Sequence, residues 1–382
     1  MSAGFGEADE EGKVREENLA RLARVHGIRL LGPNVSGTFN LHASFNASGS
    51  PAHYLVPTNL AAICQGGYAF YDLLAAGGSR KMGVGWFVHT GNECDLGVTD
   101  FLELLGEEEE VQGILMYLET IRDPRRFLDV ARRVSERKPI IVFKAGTTSA
   151  GARAALSHTG ALAGRPEIYR GALAQAGIIL CPAMELLIPL GHFLVERPPM
   201  KGDRVAIMTM GGSWGVSLVD ELEGKGLMVP ELSPKLQGRL RELGMPRRAS
   251  TKNPVDIGAA GISYHLSLEN VVQMAREILE SEEVDALIFH GLGRPGMAKD
   301  QASDRARGIF LSLEVRLMRE IQALEKEIQK PVVIGCCLSP WESQAVWDLN
   351  QEGIRTYQRL SDIAWNLVLA RQREKFLSRL LR

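Results

Sequence analysis

The stretch AAICQGGYAFYDLLAAGG (Ala61–Gly78) runs from a short apolar segment through a glycine pair into a helical pattern, and the same phrase returns as VAIMTMGGSWGVSLVDELEGKG (Val205–Gly226). An apolar run of strand length without polar alternation is buried on both faces, as in a parallel sheet covered by helices. Two adjacent glycines allow a tight strand-to-helix turn and bring the first N–H groups of the helix to the strand end, where such sheets bind ligands. A glycine pair also serves simply as a turn, so its occurrence twice in one chain is the more informative fact.

Around the first phrase, LAAIC (Leu60–Cys64), GWFVH (Gly85–His89), GILMYLE (Gly113–Glu119) and PIIVFKA (Pro139–Ala145) read as strands. AFYDLLAAGG, TDFLELLG and DPRRFLDVARRVSERK read as the helices between them, the last opening with Asp123 as N-cap and Pro124 in the first helical position. A second series repeats the order, with strands in RVAIMTM, DALIFHGLG and PVVIGCC and helices in WGVSLVDELEGKG, SLENVVQMAREILESEE and a long charged segment from Asp304 to Lys330. GNECDLGVTDFLELL is echoed by KNPVDIGAAGISYHLSLENVV, and the PIIVFKA strand by PVVIGCC. The fold expected is α/β, with two doubly wound, flavodoxin-like parallel-sheet domains. FLVERPPMKGD (Phe193–Asp203) has the proline and charge content of a linker between them.

Composition narrows the function. With 382 residues, 45% hydrophobic and 24% charged, the chain can bury two cores. A net charge of -2 and a pI near 6.5 lack the basic excess of a nucleic-acid binder. No segment approaches the roughly 20 apolar residues of a membrane span, and MSAGFGEADEEGKVREEN is too polar for a secretory signal. A cytoplasmic protein without nucleic-acid or membrane partners is expected. Cys64, Cys94, Cys181, Cys336 and Cys337 follow no metal spacing and read as reduced thiols.

One histidine stands in unusual company. GARAALSHTGALAG (Gly151–Gly164) sets His158 among alanines, glycines and small hydroxyl residues. A loop histidine commonly does no more than decorate a helix end. The alternative is that small neighbours leave room for a group to be attached to the ring and then moved, and a neutral imidazole is a nucleophile near pH 7. Glu119 ends an apolar strand, which aims its carboxylate into the ligand crevice. Lys144 also ends a strand, where a lysine is ordinarily solvated. Trp214 and Trp341 read as core or interface, and His290 as a satisfied strand-end residue or part of a partner-facing loop.

KAGTTSAGARAALSHTGALAG, preceded by ILMYLETIRDPRRFLDVARRVSERKPIIVF, resembles the NDP-forming acyl-CoA synthetases, relatives of the succinyl-CoA synthetase α subunit. The likeness continues through RLLGPNVSGTFN, TGNECDLGVTDFLELL, RVAIMTMGGSWGVSLVDELEGKGL and KNPVD, and so covers most of the chain from Val25 onward. It implies three parts: residues 1–50 as the remnant of a CoA-binding Rossmann-like domain, 51–194 as a succinyl-CoA synthetase-like domain with the phosphohistidine loop, and 195–382 as a second such domain. It implies that His158 is phosphorylated and that Glu119 hydrogen-bonds its ring. Gly66, Gly67, Tyr68 and Gly160 would bind the phosphate, with Lys144, Ser157 and Thr159 in support. No metal ligand is implied.

The departures are as informative. Where the family reads Ser-x-Ser-Gly, this chain has Cys64, Gln65, Gly66 and Gly67, so two hydroxyls are replaced while backbone donors remain. Val35 stands where a cysteine is common. Only HGIRLLGPNVSGTFN of the CoA-binding domain is recognisable, and no ATP-grasp segment follows the second domain. The implied function is the phosphohistidine-carrying α-type subunit of a split ligase: acyl-CoA + NDP + phosphate ⇌ carboxylate + CoA + NTP. Its partners would be an ATP-grasp β-type subunit and a separate CoA-binding chain, its substrate an acyl phosphate or carboxylate. CoA and Mg-NTP would bind the completed hetero-oligomer, with no cofactor held tightly by this chain. The alternative is a non-catalytic scaffold or regulatory relative that has lost CoA binding. On the first reading, calorimetry of the isolated chain with CoA shows no binding at micromolar concentrations; stoichiometric binding would contradict the expected loss of that site.

Overall fold

The computed structural model describes residues 3–50, 55–78, 80–148, 150–151, 166–258, 267–292 and 304–381. The chain divides into two units, Met1–Gly78 with Met82–Val195, and Ser79–Lys81 with Glu196–Arg382.

In the first unit, β1 (Gly37–Asn40), β2 (Phe45–Ser48), β3 (Leu60–Cys64), β4 (Trp86–His89), β5 (Gly113–Leu118), β6 (Ile140–Lys144) and β7 (Ile179–Leu180) form one sheet. Its order among the described residues is β2-β1-β4-β3-β5-β6-β7. Strands β3 to β7 pair in parallel, as expected. The sheet also carries an antiparallel edge that sequence reading did not anticipate, because β1 pairs antiparallel with both β2 and β4. Thus part of the stretch expected to be a remnant of another domain adds two strands to this sheet.

Side-chain alternation explains how the sheet is covered on both faces. Ala61 and Ile63 of β3 join Ile114 and Met116 of β5 and Ile140 and Val142 of β6 in one core. The helices α3 (Val98–Glu107) and α4 (Pro124–Arg137) supply Val98, Leu102, Leu105, Phe127, Val130, Ala131 and Val134 to that core. In α4 these residues recur at i, i+3, i+4 and i+7, the apolar stripe of a helix lying on a sheet. The Asp123 side chain accepts from the N–H of Arg126, and Pro124 opens the helix, as the sequence indicated. The described residues of this unit also form α1 (Glu10–Val25), α2 (Gly67–Gly78) and α5 (Pro166–Gln175). On the opposite face, Gly191 of α6 (Leu187–Glu196) leaves no room for a Cβ against Leu115 and Leu60, so its helix can approach the strands closely.

The second unit has β8 (Val205–Thr209), β9 (Val255–Asp256), β10 (Ala286–Leu292), β11 (Val332–Cys336) and β12 (Thr356–Tyr357). They run in parallel in the order β12-β11-β10-β8-β9. Read as β9-β8-β10-β11-β12, this is the order β4-β3-β5-β6-β7 of the first unit, so the repeated phrases correspond to repeated topology. Among the described residues its helices are α7 (Gly212–Glu223), α8 (Pro234–Glu242), α9 (Leu268–Glu280), α10 (Asp304–Ile328), α11 (Gln344–Gln351) and α12 (Leu360–Leu380). Helix α10 occupies nearly all of the charged segment expected to be helical.

The expected linker is partly ordered structure. Helix α6 runs to Glu196, which with Arg355 forms an ion pair at 3.0 Å, and Arg197 pairs with Glu325 at 2.8 Å with both side chains almost wholly buried. Trp214 and Trp341 are not core residues: they are 41% and 72% exposed. Nor do they meet as a pair, since Trp341 leans on Trp347 and Trp214 on His290. All five cysteines are free thiols.

Phe127 fills the core between α4 and the first sheet, whereas Asp123 caps the same helix at the surface. Phe127→Ala should therefore cost about 3–5 kcal/mol in denaturant unfolding and Asp123→Ala about 1 kcal/mol. Equal costs would contradict this packing.

Candidate functional site

In the order β4-β3-β5, the chain leaves β3 toward one side of the sheet and returns at β5 on the other, so a crevice opens between the carboxyl ends of β3 and β5. Gln65, Gly66 and Gly67 follow β3 there, and Glu119 follows β5. The two glycines are required by their neighbours. A Cβ on Gly67 would strike Ser36 Oγ and His89 Nδ1, and one on Gly66 would lie 2.9 Å from Tyr117 Cε1 and 3.5 Å from Glu119 Oε1. The first-turn N–H groups of α2, from Gly67 and Tyr68 onward, open directly after this glycine turn. A helix of this length leaves those groups without intrahelical acceptors and carries a partial positive charge at that end.

Glu119 is buried, and it lies one residue past the strand. Its backbone is held by side chains instead of a ladder. Gln65 Oε1 accepts from the N–H of Glu119 at 2.7 Å and from that of Thr120 at 2.9 Å. Lys144 Nζ donates to the carbonyl of Glu119 at 2.7 Å and to that of Ala145 at 2.6 Å. Tyr117, two residues earlier and so on the same strand face, hydrogen-bonds the Glu119 side chain; its phenol is pushed up to about 12, by burial first and by the carboxylate second. Lys144 is a buried strand residue instead of a solvated end. Burial pushes its ammonium below the ordinary lysine range, the Glu119 charge opposing, and Nζ also lies 5.0 Å above the Tyr169 ring.

A second layer supports the glycine turn. His89 Nδ1 accepts from the backbone N–H of Ser36 at 2.7 Å, so the ring proton resides on Nε2, which faces the carbonyl of Gln65 at 3.0 Å. Gln65 Nε2 donates to Glu93 Oε1 at 2.9 Å and to the Thr120 carbonyl at 3.0 Å. Burial pushes the Glu93 carboxyl above the ordinary range, against the hydrogen bonds from Gln65 and Thr90 that lower it.

Among the sequence-predicted residues, the structure brings Gly66, Gly67, Glu119 and Lys144 together, with Tyr68 in the first turn of α2. His158, Ser157, Thr159 and Gly160 lie outside the described residues. Gln65 and Tyr117 were missed. The i, i+2 spacing of Tyr117 and Glu119 was a usable signal for Tyr117, whereas nothing local announces the partners of Gln65. Among the described residues no group of three or more His, Cys, Asp or Glu is placed to hold a metal ion, and no helix is long and apolar enough to cross a membrane.

The corresponding crevice of the second unit is built differently. Gly211 is the N-cap of α7 and Gly212 its first residue, and a Cβ on Gly212 would lie 2.9 Å from Asp256 Oδ2. The counterpart strand to β5 presents His290, wholly buried, with neither ring nitrogen hydrogen-bonded among the described residues and the ring 4.9 Å from that of Trp214. Of the two readings of His290, a satisfied strand-end residue or part of a partner-facing loop, the first does not hold among the described residues, and His290 lies within β10 instead of in the loop after it.

Compared with known proteins, residues 57–194 match the family model described as the succinyl-CoA ligase like flavodoxin domain. The chain is 34% identical over 364 residues to the alpha subunit of acetate–CoA ligase [ADP-forming] II of Pyrococcus furiosus, covering 95% of this chain and 75% of that one. It is 38% identical over 274 residues to the alpha subunit of acetate–CoA ligase [ADP-forming] I of the same organism, covering 71% and 59%. Among solved structures, the dinucleotide-forming acetyl-coenzyme A synthetase 1 of Ca. Korarchaeum cryptofilum, in complex with phosphate and ADP, aligns with a TM-score of 0.83 at 29% identity, covering all of this chain and 78% of that one.

His290 offers a pH test. Burial pushes its imidazole from the ordinary 6.5 down to about 4. A depressed pKa in the folded state gives stability that is fully present above the ordinary value and is lost as pH falls from there toward the folded value. The stability difference between the wild type and His290→Leu should shift against the wild type by up to about 3 kcal/mol between pH 7 and pH 4. A difference independent of pH would show that His290 is not a buried neutral ring.

Proposed function

Because the chain belongs to the ADP-forming acetate–CoA ligase family, as an alpha-type member, we propose that it is the phosphohistidine-carrying subunit of a split acyl-CoA ligase catalysing acyl-CoA + NDP + phosphate ⇌ carboxylate + CoA + NTP. The observation that carries this reading is the buried Glu119 carboxylate beside the Gly66–Gly67 turn, in a chain similar to alpha subunits along 95% of its length.

In the phosphoryl-transfer half of the reaction, an unprotonated ring nitrogen of His158 attacks the phosphorus of an acyl phosphate. The P–O bond to the acyl group breaks, and the carboxylate leaves with the bonding pair. Glu119 accepts the N–H of the other ring nitrogen, which leaves the attacking nitrogen its lone pair and offsets the positive charge that develops on the ring. The backbone N–H groups opening α2 receive the phosphoryl oxygens, as helix N-termini do for anions. A terminal phosphate oxygen of the NDP then attacks the same phosphorus, the N–P bond breaks, and the neutral ring returns. The nucleotide site is assigned to an ATP-grasp partner subunit, in keeping with relatives that are alpha subunits. The scaffold alternative has no comparable support, since relatives of this chain are named as ligases.

Assayed with its partner on acyl phosphate and NDP, His158→Asn should abolish turnover, with the thermal midpoint measured alongside to separate loss of chemistry from loss of fold. Glu119→Gln should slow turnover by roughly 10²-fold or more. A His158→Asn enzyme that turns over normally would contradict the proposal.

A further inference from the structure

Gln65 is almost wholly buried, and every hydrogen-bonding capacity of its carboxamide is used. Oε1 takes both N–H groups of Glu119 and Thr120, while the two hydrogens on Nε2 go to the Thr120 carbonyl and to Glu93 Oε1. One side chain from the end of β3 therefore ties down the end of β5 and the turn that follows β4. The Glu93 end of the tie is itself fixed. Its backbone sits at φ 57°, and Oε1 also accepts from Thr90 Oγ1 at 2.8 Å and from the N–H of Val98 at 3.3 Å.

Resting on the reading of Glu119 given above, we propose that Gln65 is a positioning residue that sets the direction of the Glu119 carboxylate by clamping the backbone on both sides of Thr120. Beyond Leu118 the β ladder no longer holds this segment. The direction of the Glu119 side chain then depends on the two peptide planes that flank its Cα. Gln65 fixes the N–H of each plane, and Lys144 fixes the carbonyl of the second. Gly66 lies against the carboxylate itself, so the clamp and the crevice floor are consecutive residues. Without the carboxamide, the buried N–H of Glu119 and the part-buried N–H and carbonyl of Thr120 lose this partner, and the segment relaxes toward other partners. A displacement on the order of 1 Å at a reacting group can cost about 10²-fold in rate.

The test uses the chain in complex with its partner and measures the single-turnover rate of phosphate transfer from acyl phosphate to His158, with KM and thermal midpoint alongside. Gln65→Met should slow transfer by roughly 10- to 100-fold with KM within about 2-fold. Gln65→Asn keeps the amide but is one methylene too short to reach both N–H groups, and gives the same comparison if Gln65→Met does not fold. In a Glu119→Gln background either change should bring little further loss, because a residue that acts only through Glu119 has nothing left to position. A Glu119→Gln variant as fast as wild type would overturn the reading of Glu119 and the clamp with it. A slow Glu119→Gln beside an unimpaired Gln65→Met would overturn the clamp alone. So would losses that multiply in the double variant, which is the signature of a purely structural role.

Discussion

The site depends on how the chain satisfies a buried backbone after a strand has run out. Glu119 has to sit past the carboxyl end of β5 to face the crevice, and at that point its N–H and C=O have no ladder to join. A buried backbone group without a partner costs free energy comparable to a lost hydrogen bond. The chain answers with Gln65 on the amide side and Lys144 on the carbonyl side. Gly66 is small because the Tyr117 ring lies against it, beside the carboxylate, and Gly67 because Ser36 and His89 do. The residues around the turn follow from placing one carboxylate firmly at a strand end.

The same constraint gives Lys144 an unexpected place. A lysine ending a strand in an open sheet is ordinarily at liberty to reach water. This one buries its ammonium against two carbonyls and the Tyr169 ring. Its charge is therefore spent on orienting backbone and on the field around Glu119, and its lowered pKa records the burial more than any partner.

Much of this was legible in the sequence because strand and helix periodicities are local. The central parallel strands, the capped α4, the long α10 and both glycine turns could all be read from residues within one element. The β1–β2 hairpin was not, since strands of four residues carry little hydrophobic signal, β2 is largely exposed, and the pairing of β1 with β4 spans some fifty residues of sequence. The strands β7, β9 and β12 are two residues long and offer no period at all. Gln65 escaped for another reason, and Lys144 was expected only in support of the phosphate: both hold the backbone of Glu119 from more than twenty residues away. His290 shows the converse. Two sheets of the same topology present different side chains at corresponding register positions, His290 where the first has Tyr117, so the repeat in the sequence announces a shared fold without a shared site.

The account centres on a phosphate carried by His158. The most direct test is mass spectrometry of the complex quenched during turnover with acyl phosphate and NDP, with the modified peptide mapped and its stability followed in acid and base. A phosphoryl group on His158 that is lost in acid, survives in base and disappears on addition of NDP is the predicted result. Full turnover with no phosphate detectable on His158 would contradict it.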